Sequence, residues 1–278
     1  MTRTWLITGT SRGFGRALAT AVLEHGDNVL ATARRPESLR GLVEEYGERV
    51  RVAALDVTDP AAAVAAVKTA TVVFGGLDVV VNNAGYANSA PIEEMPDEDF
   101  REQFEANFFG TVNVTRAALP VLRAQGSGTF VQFSSVGGRV GGTPGMGAYQ
   151  SAKFAVEGFS EVLAAEVRPF GVRVLIVEPG AFRTDWQGSS MRTRPVGAAY
   201  QETVGAMNEY RRASDGSQPG DPARAAGIIV RVVGSDDPPR RLLLGAAAVE
   251  LALSSGRERA EEARAWAAVS READFPQS

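Results

Sequence analysis

The sequence has no cysteine, one histidine and only two lysines in 278 residues. Without cysteine, disulfides, thiolate nucleophiles and cysteine-ligated metals are excluded. The single histidine, His25, leaves no histidine-rich metal site and argues against a Ser-His-Asp triad, so no metal is expected. Standing before Gly26, it suits the C-terminal dipole of a first helix. No apolar run approaches the ~18–20 residues that span a bilayer, and the apolar part of the N-terminus is too short for a signal peptide. A net charge of −4 gives no basic footprint for nucleic acid. The expectation is a cytoplasmic globular protein with neither membrane nor nucleic-acid partner.

The scarcity of lysine makes one of the two informative. Where a plain positive charge suffices this chain uses arginine, yet Lys153 stands four residues after Tyr149 in Tyr149-Gln150-Ser151-Ala152-Lys153. An ammonium is a compact point charge with three rotatable donors, a role the planar guanidinium does not fill. With so few Tyr and Lys, a Y-x-x-x-K is expected by chance roughly 0.04 times. On a helix, positions i and i+4 share a face. There Lys153 is expected to lower the pKa of the Tyr149 phenol, ordinarily ~10, towards that of a working general acid/base. The plain alternative is an amphipathic helix with Tyr149 in the core and Lys153 at its rim.

Short β-rich runs alternate with Ala-rich helical stretches. Trp5-Leu6-Ile7, Asn28-Val29-Leu30-Ala31-Thr32, Val50-Arg51-Val52-Ala53-Ala54, Leu77-Asp78-Val79-Val80-Val81, Gly128-Thr129-Phe130-Val131-Gln132-Phe133 and Val172-Arg173-Val174-Leu175-Ile176-Val177 read as six strands, and Arg241-Leu242-Leu243-Leu244 as a seventh. Several are apolar on both faces, as in a parallel sheet covered by helices on each side. Asp59-Pro60 and Asp221-Pro222 read as helix starts, with Asp at the N-cap and Pro at the first helical position. The alternation predicts one α/β domain, a doubly wound seven-stranded parallel sheet of the Rossmann type. Residues 148–169 read as a long helix with apolar surface to spare for a second subunit. Residues 185–220, rich in Gly, Ser, Thr and Arg, read as a substrate-binding loop or lid. Residues 246–278 read as a C-terminal helical segment.

Residues 8–15, Thr8-Gly9-Thr10-Ser11-Arg12-Gly13-Phe14-Gly15, follow the first strand and open the first helix. Glycines in that context let the backbone approach a pyrophosphate at the helix N-terminus. An NAD site usually has Asp or Glu at the end of the second strand to hold the ribose 2′-hydroxyl. Here that strand runs into Ala33-Arg34-Arg35 with no carboxylate. Arg34, flanked by Arg12, suits a 2′-phosphate through charge-assisted hydrogen bonds, so NADP(H) is favoured over NAD(H). Arg35 reads as a solvated surface charge.

In order along residues 3–185, these motifs resemble the short-chain dehydrogenase/reductase family. The loop at residues 8–15 resembles that family's TGxxxGxG, which implies cofactor contacts at Gly9, Ser11, Arg12, Gly13, Phe14 and Gly15. Asn82-Asn83-Ala84-Gly85 resembles its NNAG, with Asn83, Ala84 and Gly85 at the cofactor. Asp56-Val57 resembles the pair at the adenine, and Pro179-Gly180 with Thr184 the segment after the sixth strand. The resemblance implies a catalytic set of Asn107, Ser135, Tyr149 and Lys153. Tyr149 would exchange a proton with the carbonyl oxygen while the nicotinamide exchanges hydride with its carbon. Lys153 would bind the nicotinamide ribose, Ser135 would polarise the carbonyl, and Asn107 would hold a relay water. The Ser135-to-Tyr149 interval is one residue longer than the commonest family spacing, which leaves Ser134 as an alternative to Ser135. The family also implies a homodimer or homotetramer. The substrate is read as a small carbonyl or alcohol, with Phe182, Trp186, Met191, Tyr200, Met207 and Tyr210 as a possible apolar or aromatic wall. Arg183, Arg192 and Arg194 are candidates for an anionic group, or surface charges. An epimerase or dehydratase on the same fold, and a dinucleotide-binding regulator without turnover, are the competing functions.

Overall fold

The computed structural model describes residues 2–186, 188 and 190–275. Its centre is a seven-stranded sheet, parallel throughout, in the order β3-β2-β1-β4-β6-β7-β9. The strands are β1 (Thr4–Ile7), β2 (Asn28–Ala33), β3 (Val50–Ala54), β4 (Val79–Asn82), β6 (Gly128–Phe133), β7 (Val172–Pro179) and β9 (Arg241–Leu244). All seven lie where the β-rich runs placed them, with ends shifted by a residue or two. Asp78 stands just before β4, and its carboxylate accepts the Thr4 backbone N–H at 2.7 Å.

The unbroken apolar runs follow from burial on both faces. In β1, Trp5 and Ile7 enter one core with Leu18 and Val22 of α1 (Gly13–Glu24) and Ile229 and Val230 of α9 (Pro222–Val233). Leu6 points the other way, into a core with Ala66 of α3 (Pro60–Phe74), Val114 of α5 (Gly110–Gln125) and Leu163 of α7 (Gly147–Val167). Each fully buried aliphatic side chain contributes about 1.5–3 kcal/mol of transfer free energy. The two Asp-Pro starts behave as expected: Asp59 accepts from Ala61 N at 2.8 Å, and Asp221 from Ala223 N at 2.8 Å.

Helices α2 (Arg40–Tyr46), α4 (Asp97–Phe104), α6 (Val136–Arg139), α8 (Ala206–Ser214) and α10 (Ala246–Arg271) complete the chain. Residues 185–220 hold more regular structure than a plain loop would. There β8 (Met191–Thr193) pairs in parallel with β5 (Ala87–Ser89), and a 3₁₀ turn and a π turn lead into α8. The C-terminal helical segment is α10, of which only Ala248 and Ala252 are fully buried. Among the described residues no helix is long and apolar enough to cross a membrane.

From β1 the chain moves outward to β2 and β3, then returns to β4 on the other side of β1. Such a reversal opens a crevice at the carboxyl ends of the strands, where open α/β sheets bind their ligands.

Candidate active site

A cavity of about 1100 Å³ fills that crevice. At one end lie Gly9, Ser11, Arg12, Gly13 and Phe14 of the glycine loop, with Arg34, Asp56 and Val57 beside them. Asn83, Ala84 and Gly85 form its middle, and Pro179, Gly180 and Thr184 face them. Asn107, Ser135, Tyr149 and Lys153 line the same space. Of the residues that the family resemblance placed at the cofactor or in the catalytic set, Gly15 does not line it.

Gly15 instead makes the loop possible: a Cβ there would stand 2.3 Å from the Gly9 carbonyl oxygen and 2.5 Å from Asn83 Nδ2. Gly9 has φ +71°, and a Cβ on it would press to 2.9 Å from the Ala84 backbone. Thr8, which the sequence reading passed over, ties the loop down. Its hydroxyl accepts the N–H groups of Asn83 and Ala84 at 2.9 and 3.0 Å and donates to the Val81 carbonyl at 3.1 Å. Asn83 Nδ2 donates back to the Thr8 and Gly9 carbonyls at 2.9 and 3.3 Å. Helix α1 begins here with no side-chain cap and no acidic residue in its first turn. Its first N–H groups therefore suit an anion. A shallow cradle that any Cβ would fill, opening on an uncapped helix, fits a dinucleotide pyrophosphate.

At the rim, Arg34 and Arg12 are exposed and face the cavity, whereas Arg35 does not line it. The nearby carboxylate of Asp56 accepts from the backbone N–H and hydroxyl of Thr58 at 3.0 and 2.8 Å.

Tyr149 and Lys153 lie one turn apart on α7, both buried. The Lys153 ammonium donates to the Phe133 carbonyl at 2.7 Å and sits 5.8 Å from the centroid of the Tyr149 ring. Burial pushes the Tyr149 phenol up to about 12, against a smaller lowering by its hydrogen bond with Ser135. Burial also pushes Lys153 down, to about 8. Where Lys153 was expected to lower the phenol, burial raises it, because desolvation disfavours the charged form of each group.

Ser135 rather than Ser134 is the hydroxyl that acts on the Tyr149 phenol, lowering its pKa; it also caps α6, accepting from Gly137 N at 3.1 Å. Ser134 is buried beneath, where a Cβ on Gly138 would come within 2.6 Å of its hydroxyl. The longer interval between Ser135 and Tyr149 is absorbed by Gly141, Gly142 and Gly145, all at positive φ. Gln150 pins that loop through Thr143, with bonds of 3.1 and 2.9 Å.

Asn107 occupies a π turn, Glu105–Phe109, between α4 and α5. Its amide donates to the carbonyls of Tyr86 and Gln103, both at 3.0 Å, while its buried Oδ1 has no partner. A Cβ on Gly85 would lie 2.4 Å from that oxygen, so Gly85 leaves room for it.

Of the six residues proposed as an apolar wall, Phe182, Trp186, Met207 and Tyr210 line the cavity. Trp186 meets the Tyr149 ring edge-on at 5.2 Å. Met191 packs behind them, and Tyr200 turns away to donate to Glu93 at 2.5 Å. Arg194 forms a two-pronged bond with Asp99, Arg192 pairs with Glu102, and Arg183 donates to the Gln218 carbonyl.

The short chain dehydrogenase family model matches residues 3–195. Oxidoreductase BOA17 of Botryotinia fuckeliana is 53% identical over 253 residues, 91% of this chain and 92% of its own length. The crystal structure of a short-chain dehydrogenase from Streptomyces avermitilis superposes with a TM-score of 0.93 at 41% identity, covering 99% of this chain and 100% of its own. An alcohol dehydrogenase from the archaeon Thermococcus sibiricus, solved with 5-hydroxy-NADP, gives a TM-score of 0.71 at 27% identity over 88% of this chain and 96% of its own. With the family's model covering most of the sequence and relatives aligned along nearly their whole length, this chain belongs to the short-chain dehydrogenase family and is an oxidoreductase.

Proposed function

We propose that the protein is an NADP(H)-dependent oxidoreductase that interconverts a ketone or aldehyde and an alcohol, with Tyr149 as the acid/base residue. The observation that carries this reading is the Tyr149 phenol, its pKa lowered by Ser135 against the effect of burial, one helical turn from Lys153 in a cavity continuous with the glycine cradle. Gly9, Ser11, Arg12, Gly13 and Arg34 would hold the phosphates, Asp56 and Val57 the adenine end, and Asn83 to Gly85 with Pro179, Gly180 and Thr184 the nicotinamide half. The bound dinucleotide supplies or accepts the hydride. Tyr149 gives its proton to the carbonyl oxygen, and Ser135 donates to the same oxygen as negative charge develops on it. Lys153 passes a proton towards the phenol, and the unpartnered Asn107 Oδ1 is the acceptor for a water that reconnects Lys153 to solvent. Trp186, Met207 and Tyr210 give the substrate an apolar wall, and residues 185–220 act as its lid. The exposed Phe109, Phe154 and Val162 on the outer helices fit a homodimer or homotetramer. The alcohol dehydrogenase solved with 5-hydroxy-NADP among the structural neighbours supports both the cofactor and the reaction class.

The cofactor assignment rests on Arg34. Arg34→Asp removes a guanidinium and places a carboxylate where a 2′-hydroxyl would be bound. The NADPH/NADH ratio of kcat/KM is expected to fall by about 100-fold, the size of one or two charge-assisted hydrogen bonds. An unchanged ratio removes Arg34 from the site.

The pKa shifts of Tyr149 and Lys153 give reduction a pH signature. With the phenol pushed up to about 12, Tyr149 keeps its proton throughout the neutral range. Lys153, pushed down to about 8, is the group that loses its charge first. The rate of reduction is expected to decline above pH of about 8 as Lys153 can no longer resupply the proton. A kcat/KM that stays level to pH of about 10 rules out this role for Lys153.

A further inference from the structure

Arg211 was not among the cations singled out in the sequence, yet among the described residues it is buried in the cavity wall, as Lys153 is. It lies on α8, is 6% exposed, and lines the same space as Tyr149. Its Nη1 donates to Ser89 Oγ at 3.1 Å and Asn208 Oδ1 at 2.9 Å, and its Nη2 to the Pro144 carbonyl at 3.1 Å. All three acceptors are neutral. Among the described residues no carboxylate pairs with it, and two of its five N–H groups have no acceptor.

This sets Arg211 apart from the neighbouring cations. Arg192, which lines the same cavity, is exposed and pairs with Glu102 at 3.3 Å, and Arg194, outside the lining, is held by Asp99 at 2.6 and 2.8 Å. Lys153 is engaged by the Phe133 carbonyl beside Tyr149. A guanidinium removed from water without an anion is costly, so buried charges are ordinarily paired. Burial alone pushes Arg211 down to about 10, with no carboxylate opposing it. The neutral bonds to Ser89, Asn208 and Pro144 hold the fork in a fixed orientation, which is what two-pronged recognition of a carboxylate or another oxyanion needs.

The geometry points to Arg211 as the binding residue for an anionic group on the substrate, so that the physiological substrate is a carbonyl or alcohol carrying an oxyanion, with an apolar portion against Trp186 and Met207. The inference deepens the proposed function and rests on it for the reaction, although not for the binding.

The test uses pairs of compounds that differ only in charge: keto acids with the ketone two to five carbons from the carboxylate, each against its methyl ester. Wild type is expected to favour the acid of at least one pair by about 100-fold in kcat/KM, the size of one or two hydrogen bonds to a charged group. In Arg211→Met that preference is expected to collapse to within a few-fold of unity. Arg211→Lys, which keeps the charge and loses the fork, is expected to fall between. The acid/ester ratio is the readout, so a general loss of activity from a loosened lid cancels. The same ratio is read as affinities for the enzyme with NADP⁺ bound, where a ketone has no hydride to receive. An acid preference in binding without turnover of either compound upholds the anion site and refutes the proposed reaction. Equal treatment of acid and ester by wild type in every pair overturns the inference. So does a preference that survives unchanged in Arg211→Met, because Arg211 is then only a clamp between α8 and the loop at Pro144.

Discussion

Replacing Tyr149 with Phe is expected to lower kcat/KM for carbonyl reduction by about a thousandfold, within the range that positioned proton donors contribute. The substitution removes one hydroxyl and little else. The ring is buried against Trp186, and Phe keeps that edge-on contact. What is lost is the hydroxyl's interaction with Ser135 and the proton itself. Losing a neutral bond costs ~1 kcal/mol, partly offset because a buried hydroxyl no longer has to be desolvated. The variant should therefore fold and bind NADPH with near wild-type affinity, which separates lost chemistry from lost structure. Stopped-flow mixing of the NADPH-bound variant with ketone reads the hydride step directly. A single-turnover rate within tenfold of wild type would remove Tyr149 from the acid/base role. Ser135→Ala gives an internal check, since Ser135 is proposed to act on the same oxygen: it should lower the rate by a smaller factor and leave cofactor affinity alone.

What the sequence made legible is what depends on local pattern. Strands such as Trp5-Leu6-Ile7 and Val79-Val80-Val81 could be placed because burial on both faces demands an unbroken apolar run. The glycine loop was readable because its steric demands are strict, down to the 2.3 Å between a Cβ at Gly15 and the Gly9 carbonyl. Tyr149 and Lys153 declared themselves by their spacing in a chain that avoids lysine. Their protonation did not: the sign of the Tyr149 shift depends on how deeply α7 is buried, and no four-residue motif encodes that. The short pairing of β5 with β8 escaped notice because it joins segments about a hundred residues apart, each only three residues long. Arg211 escaped for a related reason. Beside Arg183, Arg192, Arg194 and Arg212, nothing local marks Arg211 as a buried member, and its acceptors Ser89 and Pro144 come from distant parts of the chain.

The same non-locality hides the charge cluster behind the last wall of the site, and there the second large effect is expected. Arg241, in edge strand β9, donates to Glu178 at 2.8 Å, to Glu161 at 2.7 and 3.0 Å, and to Glu157. Glu178 is fully buried in β7, immediately before the Pro179 and Gly180 that line the cavity, and its other cation is Arg139 at 3.2 Å. Glu157 is nearly as deep, and its Oε1 has no partner at all. Arg241→Met keeps the volume and leaves two buried carboxylates short of charge, which costs about 3–5 kcal/mol. For a chain of this size that is a fall in Tm on the order of 10 °C. Burial already raises the Glu178 carboxyl above its ordinary value, and Arg139 pulls it back only in part. Without Arg241 it is pushed further up. A carboxyl whose folded pKa exceeds its unfolded value takes a proton in the native state first, so stability falls as pH climbs through that window. The deficit of Arg241→Met should therefore be largest near pH 8 and shrink towards pH 5. Adding Glu178→Gln, which removes the stranded charge, should restore part of the loss at pH 8 and little at pH 5. Thermal melts of the single and double variants at both pH values decide the matter: a deficit that is the same at pH 5 and pH 8 means the cluster acts through packing alone.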